Sequence, residues 1–270
     1  MTKATTIPQT LGLERSLREL RSLRERAPET LLPAVLARVG LSDAYWALES
    51  PIGPVFVAHS KAGVSMVARA ASGEAFERAF RRRHGRTVHA AKAPAPASLR
   101  AMIERPRRGR RADLHFDLRG LSEFEQSVLR KTREIPAGEV RPYSWIAREI
   151  GAPGAVRAAG SALAKNPIPL LIPCHRVVRS DGRIGNYSLG GPRNKRTLLR
   201  AEGAQPDLLE RLASEGVRYL GNEARRFFCY PTCGGIETLV ESNHVRFGSA
   251  RDAVAAGYRP CEECRPALAA

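Results

Sequence analysis

No apolar stretch in the 270 residues approaches the ~20 needed to span a bilayer. The opening run from Met1 to Thr10 also lacks the apolar core of a secretory signal. Both absences point to an intracellular protein, expected in the cytoplasm. Acidic side chains are scarce: 27 Asp and Glu against 44 Lys and Arg leave a formal net charge of +17. Such a surface favours a polyanion as partner, with nucleic acid first. Cysteine is absent from the first 173 residues, and only five occur in all. Four fall as Cys229-x3-Cys233 and Cys261-x2-Cys264, and paired thiols in a reducing compartment point to metal rather than disulfides. The fifth, Cys174, stands alone among histidine and arginine, which marks it as a candidate reactive thiol.

What is present suits a globular chain of more than one domain. The hydrophobic content of 43% is ordinary for a protein that buries a core. Residues 11 to 40 have helical spacing at Leu13, Leu17 and Leu20, then at Leu31, Leu32, Val35, Leu36 and Val39 beyond Pro28. They read as an amphipathic helix pair, packed on the body or docking a partner. From Tyr45 to Val67, short apolar runs broken by Pro51-Ile52-Gly53-Pro54 and Lys61-Ala62-Gly63 predict a β-hairpin. Glu74 to Arg83 reads as a helix, and together these elements suggest a small α/β unit.

Basic runs at Arg81 to Arg83 with Arg86, and at Arg105 to Arg111, are either solvated faces or phosphate contacts. A linker is expected near Arg105 to Asp113, with a second folded unit from His115. Phe124 to Ile135 is helical in period and stops at Pro136-Ala137-Gly138. Tyr143 to Ile150 and Ala155 to Lys165 read as two further helices around the turn Gly151-Ala152-Pro153-Gly154. That is a helix-turn-helix, and its second helix is built mainly of alanine, glycine and serine, so it can approach a DNA groove closely.

A thiol at its ordinary pKa of about 8.5 is mostly protonated at neutral pH, so a working nucleophile needs a base or cation beside it. His175 and Arg176 adjoin Cys174 in sequence. The run Asn166-Pro167-Ile168-Pro169-Leu170-Leu171-Ile172-Pro173-Cys174-His175-Arg176-Val177-Val178, followed by Gly185-Asn186-Tyr187-Ser188, resembles the active-site signature of the O6-alkylguanine-DNA alkyltransferases. The resemblance runs over roughly residues 116 to 203, including Ile135 to Val140 and Ala201-Glu202-Gly203. Tyr45 to Arg86 looks more loosely like that family's N-terminal domain.

The resemblance implies an α+β chain in four parts. These are a helical extension at 1–40, an RNase-H-like α/β domain at 41–113, a winged-helix-like alkyltransferase domain at 114–204 and a four-cysteine zinc module at 205–270. It implies a monomer acting on double-stranded DNA that carries O6-alkylguanine, with no organic cofactor and no membrane. The activity implied is that of a single-turnover methylated-DNA–protein-cysteine S-methyltransferase. Cys174 would accept the alkyl group, His175 would be the base acting through water, and Glu202 would orient the histidine. Arg157 would enter the stack in place of the flipped nucleotide, with Ala158, Ala159 and Gly160 in the minor groove. Tyr143 would assist rotation and give a proton to the departing guanine. Asn166 would brace the turn before the cysteine strand. Val177, Tyr187 and Ser188 would form the pocket around the base. Taken one at a time, Tyr143, Arg157 and Asn166 also read as a helix face, a surface cation and a turn former.

Cys229, Cys233, Cys261 and Cys264 have the spacing of a tetrahedral zinc site, with an iron–sulfur cluster as the other four-thiolate possibility. Phe228 to Cys233 together with Ala256 to Cys264 looks like the zinc domain of Ada-type proteins. That likeness implies a second acceptor role at Cys229, for methyl groups from DNA phosphotriesters. Glu237 and Glu241 stand where those proteins are basic, so a purely structural zinc knob remains the other reading. Two further functions compete: a DNA-alkylation sensor whose methylation state signals damage, and a Cys-His hydrolase with many turnovers.

Overall fold

In the computed structural model the described residues are 31, 35–36, 42–105, 114–236 and 244–266. The helix pair expected over 11–40 lies outside them except at Leu31, Val35 and Leu36, and the expected linker lies outside them from 106 to 113. Glu237 and Glu241 are likewise outside. Among the described residues no helix is long and apolar enough to cross a membrane.

The expected hairpin is a three-stranded meander: β1 (Ser42–Leu48), β2 (Val55–Ser60) and β3 (Gly63–Ala68). The two turns foreseen around Gly53 and Gly63 each reverse the chain. Helix α1 (Gly73–His84) begins at the Ser72 cap and leads to β4 (Thr87–Ala90), which pairs parallel to β1. The sheet order is β3-β2-β1-β4. Phe76 and Phe80 of α1 are fully buried against Tyr45, Ala58 and Met66, and each such ring contributes about 1.5–3 kcal/mol. Helix α2 (Ala97–Glu104) buries Leu99 and Ile103.

The chain beyond the expected boundary at 113/114 returns to this sheet. Val64 donates its amide to the His115 carbonyl at 2.9 Å and accepts from the Asp117 amide at 2.8 Å. Gly63 has φ +112°, and a Cβ there would lie 2.2 Å from the His115 carbonyl oxygen, so only glycine fits this approach.

The second unit starts with α3 (Glu123–Thr132), opened by a Ser122–Glu125 capping box. Strand β5 (Arg141–Pro142) feeds directly into α4 (Tyr143–Glu149), and a turn through Gly151 at φ +76° leads to α5 (Val156–Ala164). This is the predicted helix-turn-helix, with each helix a residue or more shorter than its pattern. Cys174 does not lie on a strand. It opens a single 3-10 turn, Cys174–Arg176, and the strand β6 (Val177–Val178) follows it, paired parallel to β5. Helix α6 (Gly191–Ala201) completes the unit, and α7 (Pro206–Ser214), the first element beyond 204, packs back on it through Leu209.

Strands β7 (Tyr219–Asn222), β8 (Phe227–Cys229), β9 (His244–Phe247) and β10 (Arg259–Pro260) form a second sheet in the order β10-β8-β7-β9, with α8 (Ala250–Ala255) beside it. One buried cluster runs from Val55 and Val57 through Trp145, Ile146 and Cys174 to Cys229, Cys233 and Cys264. The three parts thus share a core.

Candidate active site and metal centre

Pro167 to Pro173 cannot form a helix because prolines interrupt it at every second or fourth position. Asn166 ties this segment down. Its Nδ2 donates to the Ile172 carbonyl at 2.9 Å and to Cys174 Sγ at 3.2 Å, while its Oδ1 accepts from the Ile168 amide at 3.0 Å. Asn166 therefore touches the thiol itself, beyond bracing the turn. Burial pushes the Cys174 thiol up, while the Asn166 donor and the Lys195 charge act to bring it down. A sulfur held this way is a protected thiol that gains from losing its proton only when a base is ready.

His175, next to Cys174 in the chain, is the candidate for that base. It is 1% exposed and its Nε2 lies 2.8 Å from Glu202 Oε1. Burial alone would raise the Glu202 carboxyl, but His175 and Arg176 reverse this and hold it at about 2. An ionised carboxylate only accepts, so Nε2 carries the ring proton and Nδ1 keeps its lone pair. Nδ1 is buried and has no hydrogen-bond partner among the described residues. Burial also holds the His175 pKa below its usual value, which keeps the ring neutral with a lone pair free on Nδ1.

The sequence placed Arg176 beside Cys174 as a cation, yet its side chain turns to Glu202. It donates at 2.9 and 2.7 Å to the two carboxylate oxygens and at 2.6 Å to the Ile135 carbonyl. The cation that reaches the thiol is one that motif reading missed. Lys195 is fully buried and donates to the Val177 carbonyl at 2.6 Å. Burial lowers its pKa to about 8, against an opposing pull from Cys174. A lysine inside an amphipathic helix reads as surface, so only its placement three and four residues before Leu198 and Leu199, on their face, hinted otherwise.

The pocket residues divide. Tyr187 is buried, its ring edge-on to His175 at 6.0 Å between centroids, with a hydroxyl that has no partner among the described residues. Ser188 is exposed next to it. Val177 is buried; its amide caps the Cys174 turn and its carbonyl accepts from Lys195.

The helix expected to meet DNA also needs one correction. Arg157 and Ala158 are exposed and Gly160 is half-buried, but Ala159 is fully buried with Ala162 and Leu163 on the core face. At 100° per residue, 157, 158, 161 and 164 share the outer face and 159 turns inward. Ser161 belongs to that outer face and was not foreseen. Tyr143 starts α4 and lies under α5, where a Cβ on Gly160 would come 3.8 Å from its ring. Burial and the nearby thiol raise the Tyr143 pKa, so it stays a proton donor.

The four remaining cysteines converge. Their sulfurs lie within 4.8 Å of one another, and all four are buried. A tetrahedron of thiolates around zinc has edges of about 3.8 Å, and Cys233 and Cys261 are 4.0 Å apart. The donor set and spacing therefore fit Zn2+. Hydrogen bonds from Cys229 and Cys264, with the Gly235 amide and the Arg141 charge, pull the Cys233 thiol down. Cys229 is fully enclosed.

Residues 123–204 match the family model for the 6-O-methylguanine DNA methyltransferase DNA-binding domain, and residues 210–267 match the metal-binding domain of Ada. The methylated-DNA–protein-cysteine methyltransferase of Mycolicibacterium paratuberculosis is 50% identical over 90 residues, covering 33% of this chain and 53% of that protein. The Rattus norvegicus protein of the same name is 43% identical over 113 residues, covering 40% and 51%. The chain spans about half the length of these curated relatives. The crystal structure of Mycobacterium tuberculosis OGT in complex with DNA is 32% identical, covers 62% of this chain and 98% of its own, and has a TM-score of 0.47.

Proposed function

Since the chain belongs to the 6-O-methylguanine DNA methyltransferase family and carries an Ada-type metal-binding domain, we propose that it removes the alkyl group from O6-alkylguanine in DNA and keeps it on Cys174. The observation that carries this reading is the buried His175–Glu202 pair next in the chain to Cys174, with Asn166 on the sulfur. His175 Nδ1 takes the Cys174 proton through water. The thiolate then attacks the alkyl carbon, so the C–S bond forms as the C–O6 bond breaks. The electron pair goes to O6, and Tyr143 gives a proton to the guanine ring. His175 passes its proton through water to the Tyr143 phenolate, which leaves guanine, a thioether and both side chains neutral. A thioether is not hydrolysed under these conditions, so each chain acts once.

O6 is shielded in the duplex, so the nucleotide has to leave the stack. Arg157 and Ala158, with Ser161 and Gly160, face the groove in this reading, and Tyr187 and Ser188 line the pocket. The division of labour follows residues 41–113, 114–204 and 205–270, with double-stranded DNA as partner and the cytoplasmic nucleoid as its place. Zinc on the four cysteines supplies cross-linking of a module too small to fold firmly alone. We read Cys229 as a ligand rather than a second acceptor, because its sulfur lies among the three other cysteine sulfurs, where a metal would claim it.

Quantifying restored guanine against protein tests the reading, using a duplex with one O6-methylguanine. Release that stops at one guanine per chain supports it. Continued turnover favours the hydrolase, and binding without any transfer favours the sensor.

A further inference from the structure

The metal-binding part is docked onto the helix-turn-helix through its own ligand loops. Four hydrogen bonds make this joint. Thr232 Oγ1 accepts from the Val140 amide at 2.8 Å, and the Gly234 amide donates to Glu139 Oε1 at 3.1 Å. Trp145 Nε1 donates to the Cys264 carbonyl at 2.9 Å, and Arg148 donates to the Arg265 carbonyl. Thr232 and Gly234 flank Cys233, and Arg265 follows Cys264. All four contacts thus arise from the two loops that a metal would tie together, and they land on α4 and the residues leading into β5.

The centre of the joint is dry. Trp145 is 2% exposed and Arg141 3%. The Arg141 guanidinium lies 5.9 Å from the Trp145 ring centroid and 5.5 Å from that of Tyr230. Arg141 enters the joint from β5 as half of a buried ion pair with Glu139, whose other carboxylate oxygen accepts from the Gly234 amide. Helix α4 begins at Tyr143 and passes through one tight turn into α5, so any movement of the joint moves the residues that meet DNA.

We propose that the metal centre is a brace for DNA reading: Zn2+ on Cys229, Cys233, Cys261 and Cys264 fixes the two ligand loops, and these hold β5 and α4 where Tyr143 and α5 can act. Metal loading then sets the rate of alkyl transfer at Cys174, which the metal never touches. This rests on the alkyl-transfer reading above.

The test compares the full chain loaded with zinc and stripped by a chelator under reducing conditions. Hydrogen exchange by mass spectrometry reads 139–149 against β1–β3. On metal removal, 139–149 should exchange about tenfold or more faster while β1–β3 keep their protection. Transfer from an O6-methylguanine duplex should slow by about tenfold or more, as expected when reacting groups are misplaced. Unchanged exchange in 139–149 overturns the brace.

If the stripped chain unfolds throughout, Thr232→Val decides. It removes the acceptor for Val140 and keeps all four ligands. With one zinc still bound per chain, it should loosen 139–149 and slow transfer several-fold, and Thr232→Ser should restore both. A zinc-loaded Thr232→Val protein indistinguishable from its parent overturns the proposal. Failure of the alkyl-transfer reading looks different: the loaded parent transfers nothing, yet the exchange contrast persists.

Discussion

Cys174 and the four-cysteine cluster are both sealed from solvent, but their surroundings differ in kind. Cys174 has one amide donor on its sulfur, a buried lysine in range and a histidine beside it whose proton is fixed by a carboxylate. The cluster sulfurs face mainly one another, with Arg141 as the cation across the joint. Burial by itself therefore does not distinguish a reactive cysteine from a structural one. The distinction lies in whether neighbouring groups can accept one proton on demand or whether several thiols must lose theirs together, which only a metal stabilises.

The sharpest way to break this comparison is to remove each kind of cysteine. Cys174→Ser should abolish transfer while leaving zinc content and melting temperature nearly unchanged. Cys264→Ala should lose zinc and melt the module, yet slow transfer only by about tenfold. Metal analysis, calorimetry and a transfer assay would check both, and a Cys174→Ser protein without zinc would contradict the separation.

Glu202→Gln comes next, with transfer down by about 100-fold because His175 loses its fixed tautomer. The same carboxyl shapes acid stability. Its pKa is about 2 in the fold against 4.5 ordinarily, so its contribution is present above 4.5 and lost as pH falls toward 2. Melting curves of the variant should lose that dependence.

Lys195→Met should slow transfer by about tenfold at neutral pH, where the lysine supports the thiolate. Folding lowers the Lys195 pKa from 10.5 to about 8, so the charged form is penalised below 8 and stability rises between 8 and 10.5. The methionine variant should be more stable at neutral pH and flat across that window. The smallest effect expected is at Gly160→Ala. Its Cβ would meet the Tyr143 ring at 3.8 Å, an ordinary contact, and helix stability should rise by about 0.5–1 kcal/mol. A loss of stability would show that α5 needs the glycine.

Local patterns carried much of this. Proline stops, the Ser122–Glu125 cap and the small-residue helix were visible because each depends on residues a turn apart. Cys174 with His175, and the spaced cysteine pairs, were visible because the chemistry sits in short motifs. What stayed hidden is tertiary. Arg176 reaches Glu202 across 26 positions, Lys195 is buried by α6 folding over β6, and Thr232 meets Val140 across 92. Ala159 and Ala158 are alike in sequence, and only the direction of the core separates them.

The central claim concerns where an alkyl group comes to rest, so peptide mass mapping tests it most directly. The protein is incubated with a duplex carrying O6-methylguanine and, separately, with one carrying methyl phosphotriesters. The account predicts one methylene on Cys174 from the first duplex, saturating at one per chain, and none on Cys229 from either. An unmodified Cys174 in protein that binds the damaged duplex would contradict the account, and a methylated Cys229 would contradict the ligand-only role of the metal centre.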